Sequence, residues 1–199
     1  MLNNSLHVIA RSVFATRQSR PYCFLEKGKP MPAPVDKRLA AVCGLFCPAC
    51  TVYIGTRDDP GRLKALARRM GRSVEELECN GCRSEKRCFY CKSVCTMAKC
   101  AADKSVDFCG QCPEYPCSDL RTFQAAMPHR IELWRWQERI KESGYETWYA
   151  EMTGHFSCRT CGAINSAYDL KCRKCGEEPS CEYVRMHKDE ITQRSRNMR

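Results

Sequence analysis

The sequence predicts a small α+β protein that metal ions, more than a large apolar core, hold together. Eighteen of its 199 residues are cysteine. The hydrophobic fraction of 43% counts those cysteines. Without them roughly a third of the chain is left to pack as ordinary core, which is thin for this length. Most of the cysteines stand two to five residues from a neighbour. Such spacing suits one shared metal ion, whereas a disulfide closing so short a loop gains little. Short helix signatures separate the clusters, and two CxxCG turns near the C-terminus read as the tips of small hairpins.

Residues 1–35 read as a separate tail, either targeting-like or disordered. Through Arg20 there is no acidic residue, while Arg11, Arg17 and Arg20 stand among Ser and Thr, as in a transit peptide. Met31 also heads a good start, so an over-extended reading frame explains the tail equally well. The apolar stretches are broken by His7, Arg11 and Ser12, so no secretory signal is evident. Cys23 stands alone and is not read as a ligand. No apolar run reaches the roughly 18 residues of a membrane span. A reduced, cytoplasmic protein with no membrane partner is expected.

Residues 36–127 form the cysteine-rich metal-binding domain. Asp59 caps a first helix, Pro60 occupies its first turn, and Leu63, Leu66, Ala67 and Met70 line one face. Gly71 ends it, and Ser73 with Glu76 has the spacing of a capping box for a second. A third helix is expected from the cap Ser118 to Met127, stopped by Pro128. Residues 128–154 are a helical connector packing on this body. Ile131, Leu133, Trp134, Trp136 and Ile140 mark an amphipathic helix to Gly144, and Trp148, Tyr149 and Met152 continue it. The aromatic stripe reads as core more than as a binding platform. Residues 155–181 are a zinc ribbon, and 182–199 a flexible basic tail.

The ribbon carries the sharpest chemistry. Cys158-x2-Cys161 and Cys172-x2-Cys175 are each followed by glycine, which takes up a positive φ while backbone N–H groups point at the sulfurs. Four thiolates close a tetrahedron around structural zinc and leave no open position for hydrolysis. The intervening AINSAYDLK suits a short strand and turn. Cys181 is surplus to that set.

Twelve cysteines fill the body: Cys43, Cys47, Cys50, Cys79, Cys82, Cys88, Cys91, Cys95, Cys100, Cys109, Cys112 and Cys117. Twelve divides into three four-thiolate sites, for about four zinc ions per chain with the ribbon. Cys79 and Cys82 with Cys88 and Cys91 are near enough to close one. Cys109, Cys112 and Cys117 supply three ligands of a second, and Cys43, Cys47 and Cys50 three of a third. Cys95 and Cys100 remain to complete these two. Four thiolates also suit a [4Fe–4S] cluster, so an iron–sulfur protein using Cys43, Cys47 and Cys50 is the alternative. Radical S-adenosylmethionine enzymes share that C-x3-C-x2-C spacing, but the repeated strand–helix units of their barrel are missing here. Metal storage or sensing is a further alternative. The histidines His7, His129, His155 and His187 read as surface residues. No nucleophile–base constellation and no phosphate-binding loop is evident.

The order CGLFCPAC at 43–50, CNGC at 79–82 and CTMAKCAADKSVDFCGQCPEYPC at 95–117 resembles the DUF3795 family. RIKESGYETWYAEM at 139–152, followed by the paired CxxCG turns, resembles a C-terminal extension frequent in that family. The resemblance spans about residues 40–176. It implies zinc bound through cysteines and a prokaryotic, cytoplasmic setting, and it brings no activity.

The resulting expectation is a non-enzymatic interaction module with an unidentified protein partner. The formal charge of +10 points at first to nucleic acid. Each zinc with four thiolates carries a net −2, so about four sites bring the protein near +2. Nucleic acid through the ribbon's Arg159, Lys171, Arg173 and Lys174 is therefore an option but not the favoured one.

Overall fold

The computed structural model describes residues 35–197. The described residues form seven α-helices: α1 (Thr51–Arg57), α2 (Pro60–Met70), α3 (Val74–Leu77), α4 (Thr96–Asp103), α5 (Ser118–Ala126), α6 (Leu133–Phe156) and α7 (Glu182–Arg196). Among the described residues there is no named strand, only two isolated bridges, Ala40 with Phe46 and Ser157 with Ile164. The expected α+β class is thus overturned: the protein is helical, with irregular cysteine loops between helices. The reason lies in the segment read as a ribbon strand. Asn165 is fully buried, and its amide donates to the carbonyls of Ala163 at 2.9 Å and Ser180 at 3.1 Å. Ser166 N donates to the Asp169 carboxylate at 2.8 Å, which closes a turn and ends any ladder.

The local signals around α2 and α3 operate as read. The Asp59 carboxylate accepts from Arg62 N at 3.0 Å, Pro60 occupies the first turn, and Gly71 ends the helix at φ 61°. Ser73 Oγ accepts from Glu76 N, while the Glu76 carboxylate accepts from Ser73 N. Leu63 and Ala67 pack with Leu77 in a small satellite cluster, whereas Met70 turns outward and is 44% exposed. Cys117, not Ser118, holds the cap position of α5.

Helix α6 is the beam of the fold. Gly144, at φ 80° and ψ 161°, breaks its winding in the middle. Trp136, Ile140, Trp148, Met152 and Phe156 project from it into one core with Phe46, Phe108, Leu120 and Tyr183. Trp136 is 2% and Trp148 0% exposed, so those two rings are core. Residues read as a flexible basic tail form α7, whose Tyr183, Val184 and Ile191 are buried. Residues 198–199 and most of the N-terminal tail, with Cys23, lie outside the described residues. No described helix is long and apolar enough to cross a membrane.

Gln137 on α6 ties the cysteine loops to this beam. It is fully buried; its amide nitrogen donates to Val42 O at 3.2 Å and its amide oxygen accepts from Gly110 N at 2.7 Å. Val42 O accepts a second bond, from Cys109 N at 2.8 Å. The side chain fits because Gly44 and Gly110 lack a Cβ. One built on Gly44, at φ +86°, would lie 2.7 Å from the Gln137 amide nitrogen, and one on Gly110 would lie 2.8 Å from its oxygen.

Residues 155–181 dock on α1 and α2 through charge. Arg62 makes two hydrogen bonds to Asp169, at 2.8 and 3.1 Å, with both side chains largely shielded. Arg173 reaches Asp58 at 2.6 Å. His129 contacts the same segment and is held neutral. Arg130 Nε can only donate, and it meets His129 Nε2 at 3.2 Å. The ring proton therefore sits on Nδ1 and donates to the Tyr168 hydroxyl at 2.7 Å. Enclosure by protein atoms, then the Arg130 charge, pushes the His129 pKa down to about 3. The expectation of surface histidines also fails at His155, which is buried and bonds Glu132 at 2.7 Å.

Two expected outcomes follow from these contacts. Gln137→Met keeps the volume but leaves the buried Gly110 N–H without an acceptor; urea unfolding should show a loss of about 2 kcal/mol. An unfolded imidazole titrates near pH ~6.5, so below it the unfolded chain takes a proton that folded His129 refuses. Unfolding midpoints should therefore decline from about pH 7 to about pH 4, and His129→Gln should flatten that decline.

Candidate metal centre

The C-terminal segment builds its site from two similar turns. Gly162 N bonds Cys158 O and Gly176 N bonds Cys172 O, both at 2.9 Å. Gly162 at φ 72° and Gly176 at φ 80° adopt the left-handed conformation that the CxxCG pattern implies. Cys158 N and Cys172 N then bond the carbonyls of Ala163 and Glu177. The two turns face each other: Cys158 Sγ lies 3.6 Å from Cys175 Sγ, and Cys161 Sγ 3.6 Å from Cys172 Sγ. All four sulfurs lie within 4.8 Å of one another. Four sulfurs each about 2.3 Å from a tetrahedral centre lie about 3.8 Å apart, so the donor set and its spacing fit one thiolate-bound ion.

The surroundings favour thiolate at Cys172, while at Cys175 the Glu177 N–H is outweighed by the neighbouring thiols, which oppose it. Burial opposes ionisation of Cys172, but the backbone N–H groups of Cys175 and Lys174 and the Cys161 and Cys175 thiols lower it to about 6. Asn165 fixes the second turn: its amide oxygen accepts from Arg173 N at 2.9 Å, and its nitrogen lies 3.7 Å from Cys172 Sγ. Cys158 and Cys172 are buried, while Cys161 and Cys175 reach the surface. Cys181, surplus in the sequence reading, is buried at the start of α7 and takes a 3.6 Å contact from Ser180 Oγ.

The central cysteines are less tightly gathered. Among the described residues, no other group of three Cys, His, Asp or Glu brings its ligand atoms within the same mutual range. Cys100, Cys109, Cys112 and Cys117 line one cavity of about 170 Å³ beside Lys104 and Glu114. Burial, then the nearby Cys117, Cys100, Cys95 and Cys112 thiols, pushes Cys109 up to about 12. Cys50 keeps an exposed surface, yet the protein atoms packed round its thiol push it up to about 11, with Cys79 and Cys88 close by. Cys79 adjoins Cys88, and Cys88 adjoins Cys91. Cys82 neighbours two members of its expected set, Cys79 and Cys91, and cysteines outside it, Cys43, Cys47 and Cys95.

Sequence reasoning placed every one of these cysteines in a cluster but missed the polar residues that hold the clusters. Gln137 and Asn165 carry no local signal, because their partners stand up to 95 residues away.

Residues 39–122 match the family described as a protein of unknown function (DUF3795), which agrees with the resemblance carried by the cysteine order. The match ends before the Cys158 set, so the C-terminal segment lies outside it. No curated protein and no solved structure is significantly similar to this chain.

Open space surrounds Gly176, so a substitution there is opposed by backbone conformation and not by a clash. Gly176→Val should cost about 1–2 kcal/mol in urea unfolding, and Gly176→Asn distinctly less, since asparagine tolerates left-handed φ.

Proposed function

We propose that this chain, whose residues 39–122 belong to the DUF3795 family, is a non-enzymatic metal-stabilised module that holds zinc at Cys158, Cys161, Cys172 and Cys175. One observation carries the reading: four sulfurs drawn from two turns converge within 4.8 Å. A closed set of four thiolates leaves no position for substrate, so the ion's contribution is to fold and hold the segment. Zinc suits it because four sulfurs in a tetrahedron satisfy an ion with no geometric preference of its own.

The reading extends to the body. The shared cavity supports Cys100, Cys109, Cys112 and Cys117 as one central set. The adjacency of Cys50, Cys79, Cys88 and Cys91 supports a second, with Cys43, Cys47, Cys82 and Cys95 left for a third. Three such sets bring the total to about four zinc ions per chain.

Metal analysis of anaerobically purified protein, with its absorption spectrum, tests this. A colourless protein with about four zinc is expected; a brown one containing iron and sulfide would overturn zinc in the body in favour of a cluster. Cys172→Ser should lower the zinc content by about one per chain, whereas Cys181→Ser should leave it unchanged.

A further inference from the structure

Among the described residues, a cluster of cations without ion-pair partners lies on α2 and at the end of α1. Residues 57–72 hold six basic residues and two acidic ones. Both acidic residues are engaged: Asp58 by Arg173 and Asp59 by Arg62, which also holds Asp169. Arg72 is paired with Glu76 and lies over the Phe89 ring. Arg57, Lys64, Arg68 and Arg69 are exposed and have no ion pair or hydrogen bond among the described residues. Lys64 and Arg68 stand four apart on one helix face, where like charges repel. Arg68 and Arg69 gain something from the helix C-terminus, but Lys64, near the middle, gains nothing there.

The Arg173–Asp58 contact extends this face, because Lys174 and Arg57 flank it in sequence, and Lys174 is also exposed and unpaired among the described residues. The rest of the basic rim around the four cysteines has carboxylate partners, although Glu182 is shared with Arg185 and Glu178 with Lys188. Arg159 pairs with Glu182, Lys171 with Glu178, and Arg173 with Asp58.

We infer that the basic surface formed by Arg57 at the end of α1 and by Lys64, Arg68 and Arg69 on α2, continued by Lys174, binds the phosphate backbone of nucleic acid. A polyanion with regularly repeated charges matches a cluster of cations on and beside a helix, and cations whose side chains lack protein partners contribute without breaking an internal pair. An anionic membrane fits less well. It needs a row of apolar anchors on the same face, whereas Leu63 and Ala67 turn inward and only Met70 is exposed. The contacts are to backbone, so binding is independent of sequence.

The test is binding of the full-length, metal-loaded protein to a short DNA duplex and to a single-stranded RNA, by fluorescence anisotropy over a salt series. Five phosphate contacts give a slope of about −4.5 for log K against log salt with duplex DNA. The double variant Lys64→Gln with Arg68→Gln should weaken binding about tenfold or more and bring the slope to about −3. Glutamine preserves helix propensity at these exposed positions. Should that variant misfold, Arg57→Gln with Arg69→Gln should give the same loss. Arg159→Gln with Lys171→Gln should leave both affinity and slope unchanged. The proposal is overturned if neither nucleic acid binds at low salt, if the slope survives both α2 double variants, if the rim variant is the one that loses binding, or if anionic vesicles bind more tightly than nucleic acid.

Discussion

Cysteine loops have little regular backbone, so their N–H and C=O groups need partners from elsewhere, and one buried amide provides the central ones. Gln137 joins Val42, next to the first cysteine cluster, to Gly110, next to the fourth. Cys109 N closes the same knot on Val42 O. This is why a glycine follows the cysteine in both Cys43–Gly44 and Cys109–Gly110: neither position tolerates a Cβ beside the amide. The knot sits on α6, so the orientation of that helix sets the orientation of both loops.

The same helix orients the C-terminal part. Phe156, at its end, stacks on Tyr183 of α7 at a centroid distance of 4.9 Å. Glu132, just before its start, receives His155 at 2.7 Å and His187 at 3.2 Å. Burial opposes the Glu132 charge, but those two histidine bonds win and hold its carboxyl well below the usual carboxylate range. The Tyr183 hydroxyl donates to Pro128 O and accepts from Ile131 N. The apolar core is therefore reinforced by buried polar contacts such as His155 with Glu132 and Tyr183 with Pro128, which restrict the packing more than apolar contact alone.

Legibility in the sequence followed the range of the interaction. Asp59–Pro60, Gly71 and the Ser73–Glu76 box act within four residues, and each appears where the sequence placed it. The Cys158 set was legible because two turns of fixed spacing already hold its chemistry. The strand between those turns was not, since Asn165 finds its partners at Ser180 and Arg173 and pulls the backbone out of a ladder. Helix α7 was hidden by composition: charges dominate it, and only Tyr183, Val184 and Ile191 form its inner face. The grouping of the central cysteines was beyond reach, because one thiol can adjoin several clusters: Cys82 neighbours Cys43, Cys47, Cys79, Cys91 and Cys95.

Charge illustrates the same limit from the other side. Read along the chain, Arg159, Lys171 and Arg173 form a basic rim beside four ligands. Their partners Glu182, Glu178 and Asp58 arrive from α7, the preceding loop and the end of α1. On α2 the reverse holds: of its two acidic neighbours, Asp58 is taken by Arg173 of the C-terminal segment and Asp59 by Arg62 of the helix itself. Arg62 in turn holds Asp169, so the cation that the helix start engages is also one that fastens the four-cysteine segment to the body. Docking therefore removes Asp58 as a counter-charge, and Arg57, Lys64, Arg68 and Arg69 are left without one among the described residues.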